Sequence, residues 1–380
     1  MGLLGKFPSG HNAIGIDIGS HSIKVVQLAP TRHGYVVNCA GSTSTPAEAI
    51  KQGIVDNRPA VADSLRSLLD TLRISSTWAV TAVAGPTVVV RQIRLPVMPE
   101  AQLRKSISWE ARNHISFPVE DSSVSFQILG TTTVDGMPQM EVMLVATPRE
   151  LVDSRVEALE QAGLEPIAVE LEPFALMRTA LELPFRGEYP RETVALVAIG
   201  GTYTHISIAS NGQFVLSRSV TVAGDSFTSS IANVLGIDTA QAEEIKLTEA
   251  RAVSSEEERA QLSPVGQQAS RALDPQLEEL VREIRSSFAF YDYQQTPDGS
   301  ATEGVSRIIL TGGSANLPGL ADCLNSQLSI NVEVLDMFDR ERVHVADNED
   351  ELRAQASLLS TSFGLALRES MLGRDKGGAR

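Results

Sequence analysis

Cysteine is scarce in this sequence: Cys39 and Cys323 are the two thiols among 380 residues, and they stand far apart. Neither has metal-ligand spacing, so the two read as buried thiols in a reducing compartment rather than as ligands. The six histidines form no ligand pair at helical spacing, which leaves no cluster of the zinc type. Basic charge is also short, with 32 Lys and Arg against 47 Asp and Glu and a net charge of −15. A nucleic-acid surface needs a basic stripe to displace counterions, and the same deficit opposes tight adsorption to anionic lipid headgroups. No apolar run reaches the length of a membrane span; the best candidate, Trp78 to Val90, is broken by Thr81, Gly85, Pro86 and Thr87. The N-terminal stretch Met1–Phe7 is too short for a signal peptide. These absences predict a cytoplasmic protein that reaches a membrane, if at all, through something else.

What is present is an ordinary globular composition, 42% hydrophobic and 21% charged, on a chain long enough for two lobes with separate cores. One pattern occurs twice. Ile14-Gly15-Ile16-Asp17-Ile18-Gly19-Ser20-His21-Ser22-Ile23-Lys24-Val25 runs apolar into a Gly-centred, hydroxyl-rich turn and leaves it as a second apolar strand. Val194-Ala195-Leu196-Val197-Ala198-Ile199-Gly200-Gly201-Thr202-Tyr203-Thr204-His205-Ile206 repeats that layout, with Gly200 at the place of Gly19. A tight turn of this kind bares backbone N–H groups and hydroxyls at its tip, which suits an anionic phosphate. A single short hairpin with Gly and Ser at its turn is common and most often binds nothing. Two copies in one chain point to two related lobes gripping a polyphosphate between them.

The rest of the chain reads as an α/β protein. Strands at Ala13–Leu28, Tyr35–Ala40 and Trp78–Ala84 surround an apolar-periodic helix at Ala60–Leu72. From Pro86 to about Val145 comes a small α+β insertion: a β-branched strand Thr87–Leu95, a helix Glu100–Ile115, and strands Ser123–Leu129 and Met140–Val145. Helix Pro148–Gly163, strand Pro166–Val169 and a helix through Leu181 then resume the first lobe. The second lobe carries a turn at Ser210-Asn211-Gly212 and a helical region Asp225–Asp292, interrupted by a polar stretch Ser254–Asp274 expected to be partly mobile. The last ten residues read as a disordered tail. The expected division is 1–85 with 148–192 and 345–380 as the first lobe, and 86–147 as the insertion. Residues 193–224 with 305–344 form the second lobe, and 225–304 a helical subdomain on its nucleotide side.

Asp17, just before the first turn, is placed to hold Mg²⁺ through water beside bound phosphates, although an exposed strand carboxylate would look the same. Gly19, Ser20, His21 and Ser22 offer the N–H groups and hydroxyls of one phosphate cradle, and Gly200, Gly201 and Thr202 those of the other. Lys24 reads as a solvated strand lysine. Thr311-Gly312-Gly313-Ser314 ends an apolar strand before a helix Leu317–Leu328; paired glycines there admit a flat adenine or its α-phosphate close to the backbone. Glu243 and Lys246 share one helix face at i and i+3 and are candidates to contact a ribose and base together, although an isolated pair at this spacing is more often a solvated surface couple.

In this order the pieces resemble the actin-like ATPase superfamily, which includes actin, Hsp70, sugar kinases and the division protein FtsA. The insertion lies where FtsA-like proteins carry their small subdomain. Its text, Val90-Arg91-Gln92-Ile93-Arg94-Leu95-Pro96 with Trp109-Glu110-Ala111 and His114-Ile115-Ser116-Phe117-Pro118, resembles the PilM family of cytoplasmic type IV pilus assembly proteins. Glu172-Pro173-Phe174-Ala175 and Phe363-Gly364-Leu365-Ala366-Leu367-Arg368 are similar to that family's connecting segments. The resemblance implies a two-lobed, duplicated RNase H-like fold with ATP or ADP and Mg²⁺ between the lobes. It further implies an adaptor that holds the N-terminal cytoplasmic tail of a PilN-like, single-span inner-membrane protein, with pilus assembly ATPases as further partners. Val88–Leu95 and Ile107–Phe117 are the candidate residues for that tail, core packing being an equal explanation of them. Actin-like ATPases commonly place Asp before the Gly of the second hairpin; here that place is Ala198, which keeps nucleotide binding and puts hydrolysis in doubt. Two rivals stand beside this reading. An FtsA-like polymerising protein should end in a basic amphipathic membrane helix, which Leu372–Gly378 does not supply. A small-molecule kinase of the same fold would need a catalytic acid that Ala198 removes.

Overall fold

The computed structural model describes residues 13–32, 34–134, 136–183, 191–295, 304–338, 342–345 and 349–375. The readings of Met1–Phe7 and of residues 376–380 fall outside these. The chain forms two compact units, Met1–Ala175 with Thr361–Arg380, and Leu176–Ser360.

In the first unit, β1 (Ile14–Ile18) lies at the centre of a mixed sheet. It pairs antiparallel with β2 (Ser22–Pro30), which pairs antiparallel with β3 (Tyr35–Ser44). A small hairpin of β4 (Ile50–Lys51) and β5 (Ile54–Val55) leads to helix α1 (Arg58–Thr71). Asn57 starts α1 by accepting the Ala60 N–H on its side chain, and Pro59 suits the first turn because it has no N–H to leave unbonded. β6 (Trp78–Val83) then adds parallel to β1 on its other side.

The insertion follows as β7 (Val89–Pro96), helix α2 (Glu100–Ala111), β8 (Ser122–Val134) and β9 (Met137–Pro148). Its strands form a separate antiparallel sheet in the order β7-β9-β8. Both β8 and β9 run longer than the apolar residues alone suggest, since a ladder of Thr131–Thr133 with Pro138–Met140 extends their hairpin. Ile93, Leu95, Met140, Val142 and Leu144 pack under Leu103, Ile107 and Ala111 of α2. Toward its other end β9 enters the body of the unit, where Val145 packs with Val83, Leu151, Val169 and Leu171.

Helix α3 (Arg149–Gln161), closed by Gly163 at φ +86°, leads to β10 (Glu165–Leu171), parallel to β6. The sheet is buried on both faces. Ile14, Ile16, Ile23 and Val25 meet α1 and α3 through Val61, Leu65, Leu69 and Leu159, while Ala13, Val80, Ala82 and Ile167 pack with Ala175 and Leu365.

The chain passes to the second unit within α4 (Glu172–Met177), which runs on into a π-helical turn at Arg178–Glu182. There β11 (Thr193–Ile199) is central, buried at every residue. It pairs antiparallel with β12 (Thr204–Ser210), and that strand with β13 (Gln213–Val220). The Asn211-Gly212 turn between them has both residues at positive φ, +52° and +74°, the conformation that the sequence signal demands.

Helices α5 (Gly224–Leu235), α6 (Thr239–Thr248), α7 (Glu256–Arg259) and α8 (Pro264–Gln295) follow. The polar stretch expected to be mobile is folded instead. Ser255 caps α7, and Arg259, 5% exposed, donates to both carboxylate oxygens of Asp274 at 3.0 Å, so buried charge pairing orders what composition left open. β14 (Arg307–Thr311) joins β11 in parallel, and β15 (Asn331–Val334) joins β14. Between them α9 (Leu320–Leu328) begins three residues later than the apolar pattern suggests, because Pro318 is followed by Gly319 at φ +79°, which no helix accommodates. The core collects Val197, Ile199, Ile206 and Ile208 against Phe227, Ile231, Leu273, Leu280 and Ile284.

The two sheets have one topology. The orders β10-β6-β1-β2-β3 and β15-β14-β11-β12-β13 correspond strand for strand, with the same parallel and antiparallel pairings. The internal repeat of the sequence is therefore a duplicated sheet.

The final helix, α10 (Ala356–Asp375), continues through residues 371–375, which the sequence reading had left to a disordered tail. Its backbone lies directly on β1. A Cβ placed on Gly15 would sit 1.9 Å from the Ser362 carbonyl oxygen and 2.5 Å from the Ala366 nitrogen. Gly15→Ala is therefore expected to destabilise the first unit by about 2 kcal/mol or more through overpacking. Urea denaturation of the full chain would read this as a lower midpoint; an unchanged midpoint would mean that α10 does not rest on β1.

Candidate functional site

The first hairpin closes with a backbone bond. The Gly19 N–H donates to the Ser22 carbonyl at 3.0 Å, leaving Ser20 and His21 as the tip. Thr45, following β3, holds the turn from the side: its hydroxyl donates to the Gly19 carbonyl at 2.7 Å and its N–H to the His21 carbonyl at 3.0 Å. His21 is exposed, whereas Ser20 and Ser22 are half-buried.

Asp17 stands opposite Lys24 in the β1–β2 register, and the Lys24 ammonium donates to Asp17 Oδ2 at 3.0 Å. Lys24 is buried, with 10% of its side chain exposed, and is not the solvated lysine expected from sequence. Its ammonium lies so close under the turn that a Cβ on Gly19 would meet it at 2.8 Å. A second cation lies behind. Arg155 on α3 is buried, donating to the carbonyls of Gly53 at 2.7 Å and Leu151 at 3.0 Å, while its Nε has no partner. Burial pushes its guanidinium down to about 10, against the opposing pull of Asp17 and Glu172.

The second hairpin closes in the same way, with the Gly200 N–H donating to the Tyr203 carbonyl at 3.0 Å. At the places of Asp17 and Lys24 its register sets Ala198 opposite His205, whose Nδ1 is 2.8 Å from the Ser219 hydroxyl. This hairpin is braced by the start of α5. The Gly224 N–H donates to the Gly200 carbonyl at 3.0 Å, the Asp225 N–H to that of Gly201 at 2.8 Å, and the Thr202 hydroxyl to Asp225 Oδ2 at 2.9 Å. Ser314 donates to the Gly200 carbonyl from the other side at 3.2 Å. Gly224 is enclosed so tightly that a Cβ there would come within 2.6 Å of the Ser314 hydroxyl and 3.2 Å of the Gly200 oxygen. Gly312, at φ +89°, abuts the same strand end: its Cβ would fall 2.5 Å from the Ile199 oxygen. At Gly313 an added Cβ meets Leu358 at an ordinary 3.5 Å.

Lys246 approaches the same point from α6. Its ammonium donates to Glu243 Oε2 at 2.6 Å, the Thr228 hydroxyl at 2.9 Å and the Gly224 carbonyl at 3.4 Å. Thr228 Oγ1 in turn lies 2.5 Å from Glu243 Oε2. The sequence pair is thus no surface couple. Lys246 is buried beneath α5, and Glu243, with 44% of its side chain exposed, is the half presented outward.

The candidate residues therefore form two constellations. Asp17, Gly19, Ser20, His21 and Ser22 form one hairpin. Gly200, Gly201, Thr202, Glu243, Lys246 and Ser314 converge on the N-terminus of α5, while Gly312 abuts the Ile199 end of β11 and Gly313 lies beside Leu358. Gly224, Asp225 and Thr228 belong to this second group and escaped the sequence reading. Their signal was a Gly-Asp pair opening an apolar-periodic helix, a placement that favours an acid in the first turn and an anion at the helix end. Backbone N–H groups at Gly-rich turns, hydroxyls and buried cations, the group types that suit a phosphate, gather here, those named above each bonded within the protein, and there is no room for side chains at Gly224 or Gly312. Among the described residues no three His, Cys, Asp or Glu side chains gather to hold a metal, and no helix is long and apolar enough to cross a membrane.

Comparison with known proteins agrees with this geometry. The family model of the type IV pilus assembly protein PilM matches residues 15–370. A solved PilM-PilN type IV pilus biogenesis complex is 28% identical with a TM-score of 0.79, over 94% of this chain and 98% of that chain. The cell division protein FtsA of Bacillus subtilis (strain 168) is 23% identical over 368 residues, covering 84% of this chain and 78% of that protein. MreB5 of Spiroplasma citri, solved bound to AMPPNP, has a TM-score of 0.51 at 14% identity, covering 98% of this chain and all of that one. The fold is thus the actin-like one that the resemblance implied.

Replacing Lys246 by Met should destabilise the second unit by about 1–3 kcal/mol, because it leaves Glu243, Thr228 and the Gly224 carbonyl short of a buried donor. Thermal unfolding of the variant beside wild type measures the loss. A shift no larger than that of an exposed lysine variant, Lys105→Met, would refute the bracing role.

Proposed function

We propose that this chain, which belongs to the type IV pilus assembly protein PilM family, is a nucleotide-binding adaptor that holds the cytoplasmic tail of a membrane protein of the pilus machinery. The observation that carries the nucleotide half is the twice-built turn, closed by the same Gly N–H to i+3 carbonyl bond at 3.0 Å in each unit. A polyphosphate such as that of ATP or ADP is the anion such N–H-rich tips are suited to hold. Asp17 gives one carboxylate oxygen to Lys24 and keeps the other for the water shell of Mg²⁺, a cation that usually retains several waters beside phosphates. The metal would supply charge neutralisation at the phosphates; Lys24, Asp17 and the turn fix where those phosphates lie.

Hydrolysis is expected to be slow. Ala198 cannot orient water or metal, and loss of one positioned polar group in a site lowers rates by on the order of a hundredfold. Titration with a fluorescent ATP analogue should show binding that Asp17→Asn weakens about fivefold in Mg²⁺, the equivalent of ~1 kcal/mol, and leaves unchanged in EDTA. Phosphate release by the same preparations should be near background. Absence of binding by wild type overturns the site, and fast release that disappears in Asp17→Asn overturns the slow turnover.

For the partner, the solved PilM-PilN complex supports a PilN-like protein, and the insertion is the proposed contact for its tail in the first unit. Ile93, Leu95 and Ile107 lie in the insertion's own core, so of the two explanations of these segments core packing holds for them. The exposed large apolar residues described in the first unit, Val97, Trp109, Ile128, Leu129 and Met137, all belong to the insertion. Trp109, 63% exposed on α2, is the anchor within the predicted segment Ile107–Phe117. Fluorescence anisotropy with the N-terminal peptide of a PilN-like single-span membrane protein should give binding that Trp109→Ser weakens about tenfold, a common cost for an interface tryptophan. A peptide that does not bind, or binds both forms equally, refutes this placement.

A further inference from the structure

The two phosphate-type turns share a bond that they make and a bond that they omit. In each, the turn glycine donates its N–H across the hairpin, Gly19 to the Ser22 carbonyl and Gly200 to the Tyr203 carbonyl, both at 3.0 Å. A two-residue hairpin turn ordinarily closes through the reverse bond as well. That bond, from the Ser22 N–H to the Gly19 carbonyl or from the Tyr203 N–H to the Gly200 carbonyl, is absent among the described residues. Each carbonyl accepts instead from outside the hairpin. Gly200 takes the Gly224 N–H at 3.0 Å and the Ser314 hydroxyl at 3.2 Å. Gly19 takes the Thr45 hydroxyl at 2.7 Å.

Thr45 is itself held in place. It follows β3 directly, is buried, and donates its N–H to the His21 carbonyl at 3.0 Å. Pro46 behind it disfavours helical backbone at Thr45 and keeps it extended, in line with the strand. One residue thereby engages two alternate carbonyls of the tip, those of Gly19 and His21. In a trans peptide the carbonyl and the following N–H point in opposite directions, and the described residues include no cis peptide bond. With both carbonyls turned toward Thr45, the N–H groups of Ser20 and Ser22 are turned away from it.

We propose that Thr45 is a positioning residue of the first turn: its hydroxyl captures the Gly19 carbonyl and so keeps the Ser22 N–H, with that of Ser20, open to a phosphate oxygen. This rests on the nucleotide reading of the turn and adds to it the group that keeps the turn from closing on itself. Without the hydroxyl the Gly19 carbonyl is left to accept the Ser22 N–H, and the hairpin then uses internally a donor that an anion needs. A donor fixed before the anion arrives loses little freedom on binding, so Thr45 acts on affinity without touching the ligand. The second turn is held by the backbone N–H of Gly224, which a side-chain substitution does not remove, so the first turn is where the brace can be tested. Thr81 supplies the comparison: its hydroxyl makes the same kind of bond, 2.8 Å to the carbonyl of Ile16 on β1, away from the tip.

Titration with a fluorescent ATP analogue should show Thr45→Val binding about fivefold more weakly than wild type, the scale of one hydrogen bond, and Thr45→Ser binding close to wild type. The loss should persist in EDTA, because it falls on N–H contacts to phosphate and not on a metal's water shell. Thr81→Val should lose a comparable amount of stability to urea and keep wild-type affinity, which separates positioning from general loosening of the unit. If Thr45→Val is unfolded before urea is added, Thr45→Ala carries the same expectation with less bulk against the strand. A wild type that binds no nucleotide overturns the nucleotide reading and this inference with it. A wild type that binds overturns this inference alone if Thr45→Val equals it, if Thr45→Ser is as weak as Thr45→Val, or if Thr81→Val loses as much affinity.

Discussion

Burial of the first strand of each unit on both faces is the constraint from which the rest of the molecule follows. β11 is buried at every residue and β1 at all but Asp17. A strand in that position satisfies its backbone through neighbours on either side and exposes polar groups where it ends. Each strand therefore delivers its chemistry to one point, the turn at Gly19 or Gly200, and the flanking strands and helices exist to hold that point still. The parallel neighbours β6 and β14 and the antiparallel neighbours β2 and β12 are the same solution reached twice.

The two copies have diverged in how they stabilise the turn. In the first, the support is electrostatic: Lys24 lies beneath the turn and is neutralised by Asp17 at 3.0 Å. A partly buried pair of this kind carries a desolvation cost, and removing either partner alone leaves an uncompensated charge. In the second, Ala198 and His205 occupy those register positions, and the support is backbone to backbone, with two N–H groups at the start of α5 bonded to the carbonyls of Gly200 and Gly201. Lys246 then fixes α5 from behind through Gly224 and Thr228. One hairpin retains a carboxylate that can face a metal's water shell; the other is a rigid set of donors without an acid on its strand. The proposal of nucleotide binding without efficient turnover rests on that asymmetry.

The insertion obeys different rules from the sheets it interrupts. Its helix covers one face of a three-stranded sheet and produces a small core of its own, while its outward residues carry the exposed apolar groups that the body of the first unit lacks among those described. An isolated sheet of this size is marginal, and the burial of Val145 with Val83 and Leu171 anchors it to the body. The exposed apolar residues of the first unit and its phosphate-type turn thereby sit on different sheets.

Sequence by itself determined the repeated hairpin, the insertion and its helix, the Asn211-Gly212 turn and the glycines at the strand ends. Each of these is local: an apolar alternation, a turn that demands positive φ, or a spacing within a few residues. The actin-like fold was legible for the same reason, since its signature is a string of such local pieces in order. What needed tertiary structure was every feature that depends on residues distant in the chain. The burial of Lys24, the ordering of Ser254–Asp274 through Arg259 and Asp274, and the packing of Ile93 and Ile107 in the core between the insertion's own sheet and helix are contacts that no local pattern encodes. Gly224, Asp225 and Thr228 joined the site only when α5 was seen resting on Gly200 and Gly201. A lysine or an acid in a sequence has the same local signature whether solvated or buried; its environment is set by which elements pack over it, and that was decided by the assembled core.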